Sequence, residues 1–339
     1  MSKYSLKYLS QKLNVSVSTV SKALNGYSDI NSKTKERIIK LAKDLNFIPN
    51  SQASFLRTRK TKLIGIIVPF ISHPFFSNII NGIVTSAEKK GYLTIVLKSK
   101  DSCDREKILV EKLLSQNVDG IFISLTQETN RLDYLENIKN EGVVLVQIDK
   151  ISKIVKSSKV VINDQESAYI ATKHLIKNGC KKILHYRGSL ISQVSIDRFL
   201  GYKKALEDHD INYDPKLVVV LNKMTDKQGF ETTSNFISKK IDFDGIFAIS
   251  DYTAVGAIEC LKKNNFNVPN DVKVVGFNNW PFSDKLSPSL STLDQPGELM
   301  GNMSFKLFLK EIRSRKNKTN FSFEKKIFKT KLVVRESSF

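Results

Sequence analysis

The sequence predicts a small all-α module followed by an α/β core built from two doubly wound parallel-sheet lobes. Three observations carry this. The first 48 residues hold three short stretches with apolar residues at helical spacing and no run of strand character. From Leu63 the pattern changes to short, near-continuous apolar runs alternating with helical stretches, as buried parallel strands with crossover helices require. That alternation falls into two series, and 339 residues suffice for two to three domains with ample cores.

The first helix runs from Ser5 to Leu13, with Leu6, Leu9 and Leu13 on one side. Asn14-Val15-Ser16 makes a tight connection. The second helix is capped by Ser16 and stopped at Gly26, because glycine tolerates the left-handed position that ends a helix. Val20, Ala23 and Leu24 form its apolar face. Ser18, Thr19, Ser21, Lys22 and Asn25 occupy the rest: hydroxyls, an amide and one cation, with no carboxylate among them, and Val17 at the start of the helix is counted with them as a candidate DNA contact. Such groups bond phosphate oxygens and base edges, and they also suit the solvated face of an ordinary small helix. The third helix spans Lys33 to Asn46, capped by Ser32, with Ile38, Leu41, Ala42 and Leu45 inward, and Pro49 ends it. Helix, short turn, then a helix with a polar outer face is the helix-turn-helix arrangement.

Charge moves the balance between those two readings. The formal net charge is +20, and residues 1–62 hold thirteen Lys/Arg against three Asp/Glu, so half of the excess lies in under a fifth of the chain. A polyanion is the partner this favours. A membrane surface is the competing reading, but no basic helix with Trp or Phe opposite occurs there. Lysines interrupt any signal-peptide core, and no apolar run reaches membrane-spanning length, so no membrane role is expected. Cys103, Cys180 and Cys260 are odd in number and far apart, which reads as reduced thiols in the cytoplasm.

The segments Leu6–Asn25, Lys35–Ile38, Phe47–Asn50 and Ala53–Thr58 together resemble the amino-terminal module of the LacI–GalR family of bacterial transcription regulators. The resemblance continues along nearly the whole chain. It implies a helix-turn-helix domain over 1–48, a hinge helix and linker over 49–62, and a periplasmic-binding-protein-like core (type I) over 63–339. Within the core it implies one lobe of roughly 63–158 and 293–325 and another of roughly 159–292 and 326–339, with three chain crossings between them. By itself the stretch 50–62 reads as a flexible basic linker. The resemblance adds a hinge helix that orders when two subunits meet on DNA, with Leu56 wedged into the minor groove and Arg57 on the DNA. It also implies a homodimer on a palindromic operator. No carboxy-terminal Leu heptad follows, so a coiled-coil tetramer is not expected.

In the core, strands are predicted at Leu63–Val68, Leu93–Leu97, Gly120–Leu125 and Val143–Ile148. The second series is Lys159–Asn163, Lys182–Tyr186, Leu217–Leu221, Gly245–Ser250 and Val272–Phe277, and a last strand is Ile327–Val334. Ligands of such units bind at the carboxyl ends of the strands, so two facing units imply a cleft. Phe75 and Phe76 follow the first strand and could stack on a flat ligand or pack between lobes. Ser124 ends the third strand and Asp149 the fourth, where it could equally cap or turn the chain. Asp251 opens a helix and reads as its cap. Trp280, the only tryptophan, offers a stacking face. The resemblance places Arg198 in the cleft, with donors for hydroxyls or carboxylates, and expects an aspartate where Asn278 stands.

Catalytic patterns are absent: no phosphate loop, no Gly-x-Gly-x-x-Gly after a strand, no Gly-x-Ser-x-Gly. His73, His174, His185 and His209 lack metal spacing and read as surface or helix residues. No catalytic residue, metal or cofactor is therefore expected. The expected function is sequence-specific DNA binding and transcriptional repression, controlled by a small effector, a sugar or sugar derivative. The alternative is a sugar-binding protein or α/β enzyme without a DNA role.

Overall fold

Three helices make up the first of two units: α1 (Leu6–Leu13), α2 (Val17–Leu24) and α3 (Ser32–Asp44). The computed structural model describes residues 4–24, 27, 29–47, 60–127, 129 and 132–339, and the chain divides between Thr61 and Lys62. Leu9, Val20, Ala23, Ile38 and Ala42 form the buried centre, with Leu6, Leu13, Leu24 and Leu41 around them. Asn14 turns the chain between α1 and α2 in the left-handed region, at φ 51°. Ser16 Oγ accepts the Thr19 N–H at 3.0 Å, as a cap should. The cap of α3 is Asn31 rather than Ser32: the Asn31 side chain accepts the Lys33 N–H, so the helix begins one residue earlier. Asn25, Gly26, Pro49, Leu56 and Arg57 lie outside the described residues.

The second unit begins with β1 (Leu63–Val68), α4 (Pro74–Glu88), β2 (Leu93–Lys98), α5 (Cys103–Ser115), β3 (Gly120–Ile123), α6 (Asp133–Asn140), β4 (Val144–Ile148) and β5 (Ser158–Ile162). There follow α7 (Asp164–Lys177), β6 (Ile183–Arg187), α8 (Gln193–Glu207), β7 (Val218–Val220), α9 (Asp226–Ser238), β8 (Gly245–Ala248), α10 (Asp251–Lys263) and β9 (Lys273–Phe277). Last come β10 (Ser291–Asp294), α11 (Gly297–Asn317), β11 (Lys325–Phe328) and β12 (Lys331–Val333).

Two six-stranded sheets result, ordered β11-β5-β4-β3-β1-β2 and β12-β10-β9-β8-β6-β7. Every pairing is parallel except β10 with β12. The strands are apolar on both faces because helices cover both. In β1, Ile64 and Ile66 pack with α4 residues Phe76, Ile79 and Ile83. Ile67, on the other face, packs with α5 residues Leu109, Val110 and Leu113. Helices α4 and α11 approach so closely that a Cβ on Gly82 would stand 2.3 Å from Glu298 O. Only glycine fits there. Among the described residues no helix is long and apolar enough to cross a membrane.

The structure corrects the strand assignment twice. The run Lys159–Asn163 does not open the second lobe: β5 pairs with β4 and β11 in the first sheet. Apolar runs look alike in both sheets, and only pairing shows where the chain leaves one. The run Ile327–Val334 is two strands, β11 in the first sheet and β12 in the second. Strand β10, short and half polar, has no counterpart in the sequence reading. The chain passes between the sheets after β5, after β10 and after β11, three times in all.

Candidate functional site

The outer face of α2 is open. Val17 is 43% exposed, Ser18 and Lys22 are exposed, and Thr19 and Ser21 are half-buried. The Ser18 and Thr19 hydroxyls each lie 2.8 Å from Ser16 Oγ, which gathers three hydroxyls at the start of the helix. Lys22 Nζ donates to Asp29 Oδ2 at 2.5 Å, and that hydrogen bond holds the Asp29 carboxyl below its usual range. The helix itself has no carboxylate, as its sequence says. The segment before α3 supplies one from outside.

In the second unit a cleft of about 710 Å³ opens at the carboxyl ends of the strands of both sheets. Six of the residues singled out from the sequence line it: Phe75, Phe76, Asp149, Arg198, Asn278 and Trp280. The two phenylalanines start α4, where Pro74 at the first position fixes the entry of the chain, and both are also part of the core. Asp149 ends β4 in a left-handed turn at φ 61°. Its N–H bonds Val160 O, so it turns the chain and faces the cleft at once.

Arg198 is tied from three sides. Its Nε donates to Asp164 Oδ1 at 2.8 Å and its Nη1 to Ile249 O at 3.3 Å, and the guanidinium sits 3.5 Å from the Phe277 ring centre. Both members of the ion pair are 7% exposed. Burial lifts the Asp164 carboxyl to about 6, against the pull of Arg198. Burial also raises Asp149, with Lys150 and Arg198 opposing.

His73 is the residue the sequence reading missed. It precedes α4 and reaches across the cleft, Nε2 standing 3.4 Å from Asn278 Nδ2, with its ring 4.7 Å from Trp280. Burial pushes its pKa down to about 4, and Lys150 and Arg198 add to the shift, so the ring is neutral near pH 7. Gln295, on the second crossing, donates to Asn278 Oδ1 at 2.5 Å. Four lining residues hold a buried polar atom with no protein partner: His73 Nδ1, Ser195 Oγ, Trp280 Nε1 and Gln295 Oε1. Buried polar atoms are rarely left unsatisfied.

Residues 61–330 match the family described as periplasmic binding proteins and sugar binding domain of LacI family, and residues 9–50 match bacterial regulatory proteins, lacI family. The chain belongs to the LacI family. The HTH-type transcriptional regulator MalR of Clostridium butyricum is 32% identical over 339 residues, covering 98% of this chain and 99% of that protein. The regulator RegA of Clostridium saccharobutylicum is 31% identical over 336 residues, with 98% and 99% covered. In fold the chain is similar to the lac repressor dimer bound to operator and the anti-inducer ONPF, with TM-score 0.85, 22% identity and 99% of each chain covered. It is also similar to a LacI family regulator from Enterococcus faecium with bound ribose, with TM-score 0.70, 25% identity, and 81% and 98% covered. The protein is a DNA-binding transcriptional regulator, and its relatives are regulators rather than enzymes.

Two expected cleft residues of this LacI-family chain lie elsewhere. Ser124 is buried behind the lining, 1% exposed. Asp251 neither caps α10 nor faces the cleft. Ser250 is the cap, and Asp251 accepts from Trp280 N–H at 2.8 Å, Ser283 Oγ at 2.9 Å and Thr292 Oγ1 at 2.6 Å. With both oxygens engaged it is a post for the segment that carries Asn278 and Trp280. Burial lifts its carboxyl to about 6. His185 is no surface histidine: it is fully buried in β6, its ring 4.9 Å from Phe247 and nearly parallel to it, and burial pushes its pKa to about 3. Among the described residues no group of three His, Cys, Asp or Glu is placed to hold a metal ion.

Proposed function

We propose that this regulator is a cytoplasmic homodimeric repressor, nucleoid-associated when bound, that reads a near-palindromic operator through α2. A sugar or sugar derivative in the cleft controls its affinity. The observation that carries the effector reading is the set of four unsatisfied buried polar atoms around the cleft. They are donors and acceptors suited to hydroxyls, set beside Arg198 and the Phe75, Phe76 and Trp280 rings. Aromatic faces cover the apolar side of a sugar while the polar groups fix its hydroxyls. A ligand held between the two lobes shifts the equilibrium between their arrangements by its differential affinity for the two states.

The test is a melting screen of the full chain against sugars, sugar phosphates and nucleobases, because a ligand bound only by the folded state raises apparent stability. One class of sugar should raise the midpoint and change operator binding together. If no compound does both, the effector reading fails. The same proposal gives Leu56 a minor-groove wedge and Arg57 a DNA contact. Leu56→Ala should reduce operator bending in a gel-shift assay while the melting of the core stays unchanged.

A further inference from the structure

Asp29 lies beyond the end of α2, yet its carboxylate reaches back to that helix and takes Lys22 Nζ at 2.5 Å. The two side chains are 46% and 53% exposed. An ion pair this open contributes little to a fold, because water and salt screen it. It also opposes the charge around it. Residues 1–62 carry thirteen Lys/Arg and only three Asp/Glu, and a carboxylate near phosphates weakens charge-driven association. Neither stability nor general attraction to DNA explains a carboxylate at this place.

Base reading does. An ammonium has three donors, and Asp29 takes one of them. The pair then presents two donors beside an acceptor, at hydrogen-bond spacing. Across the major groove a G·C pair shows guanine N7 and O6 as neighbouring acceptors and then cytosine N4–H as a donor. An A·T pair shows acceptor, donor, acceptor and a methyl group, so the match is incomplete. We propose that Asp29 is a specificity-determining residue: with Lys22 it reads one G·C pair in each half-site, the ammonium on guanine and the carboxylate accepting from cytosine N4. This rests on α2 being the DNA-reading helix.

The test selects bound duplexes from a library of near-palindromes with random half-sites, using the full-length chain, with sugars and sugar phosphates present in parallel selections. Wild type is compared with Asp29→Ala and Asp29→Val, which remove the acceptor as well as the charge, and with Lys22→Ala. Wild type should enrich G·C at one position of each half-site. Both Asp29 variants should still bind DNA but lose about tenfold in preference at that position, and Lys22→Ala should lose the same position. Affinity for random duplex should rise in the Asp29 variants, since each protomer loses one negative charge. Enrichment of the same pair as strongly as in wild type would overturn the proposal. So would a uniform rise in affinity with preference unchanged, which would make Asp29 a brake on charge alone. So would loss at a different position in Lys22→Ala. If wild type enriches no sequence, the DNA reading of α2 falls and takes this one with it. Melting curves should coincide for all four proteins, because neither side chain enters the core.

Discussion

The outer face of α2 and the wall of the cleft both carry polar side chains, and they hold them in opposite ways. On α2, Val17, Ser18 and Lys22 stand in water, and the polar partners of Ser18 and Lys22 are the nearby Ser16 and Asp29. In the cleft wall Arg198 and Asp149 are buried, Asp164 lies buried against Arg198, and each is held by residues distant in sequence. Chemistry placed in water can be changed without touching the fold. Chemistry placed in a buried wall is also part of what the fold rests on. Substitutions on α2 should therefore cost binding alone, and those in the cleft should cost binding and stability together.

The largest expected effect is that of Arg198→Ala. It strands the Asp164 carboxylate in a buried site, which typically costs about 3–5 kcal/mol. Denaturation followed by the fluorescence of Trp280, the only tryptophan, reads it directly. Arg198→Lys should recover part of the loss. A carboxyl whose folded pKa is raised favours the fold at low pH and loses that advantage as pH rises through the folded value. Asp164, already lifted to about 6, should rise further once Arg198 is gone. The gap between Arg198→Ala and wild type should therefore narrow on acidification from pH 8 to pH 5. A variant as stable as wild type at pH 8 would break the contrast between the two sites.

Asp251→Ala comes next. It leaves the Trp280 N–H and the Ser283 and Thr292 hydroxyls without their acceptor, at a cost of about 1–3 kcal/mol. Effector binding should weaken although Asp251 touches no effector, because the segment bearing Asn278 and Trp280 loosens. Calorimetric titration would show this as a lower affinity that Asp251→Asn partly restores. On the other side of the comparison, Lys22→Ala should cost about 1–3 kcal/mol of operator binding and leave melting untouched. A drop in melting there would mean that the face of α2 is not separable from the fold.

Glu106 sharpens the contrast from outside both sites. It is buried in α5, accepts the Thr126 N–H at 3.0 Å and the Tyr134 hydroxyl, and burial lifts it to about 7. It does not line the cleft. Its contribution to stability should fall as pH rises from about 4.5 to about 7. Glu106→Gln stays neutral throughout and should gain on wild type over that window, with the histidines common to both proteins cancelling. Parallel stability profiles would show that Glu106 does not titrate there.

The pattern of strands and helices was legible because each buried strand writes a short apolar run. The cleft was largely legible for the same reason: residues just after such runs, such as Asp149 and Asn278, arrive at one edge of a parallel sheet. What escaped was fixed by contacts between distant segments. Asp164 matters because Arg198 lies against it, and nothing near either residue announces the other. Asp251 looked like a cap until Ser250 took that role and Thr292 took the carboxylate. His73 sat in a stretch read for its phenylalanines, and its position between two rings and Asn278 depends on how the lobes meet. Asp29 was hidden because a helical wheel contains only the residues of its own helix.

The threading of the chain also bears on how the protein is made. Strands β11 and β12 complete the two sheets, one each, and both leave the ribosome after everything they must cover. Until then β5 and β10 are open edges, and an open strand edge is a template for pairing with another chain. For a few seconds at ordinary rates of synthesis two unfinished sheets wait on one short piece of nascent polypeptide. That piece brings Lys325 and Lys326 to one edge and Lys331 to the other, and charged edges resist such pairing. Loss of the stretch through a premature stop would open both lobes together. The expected result is aggregation of the whole core rather than a protein with one working lobe.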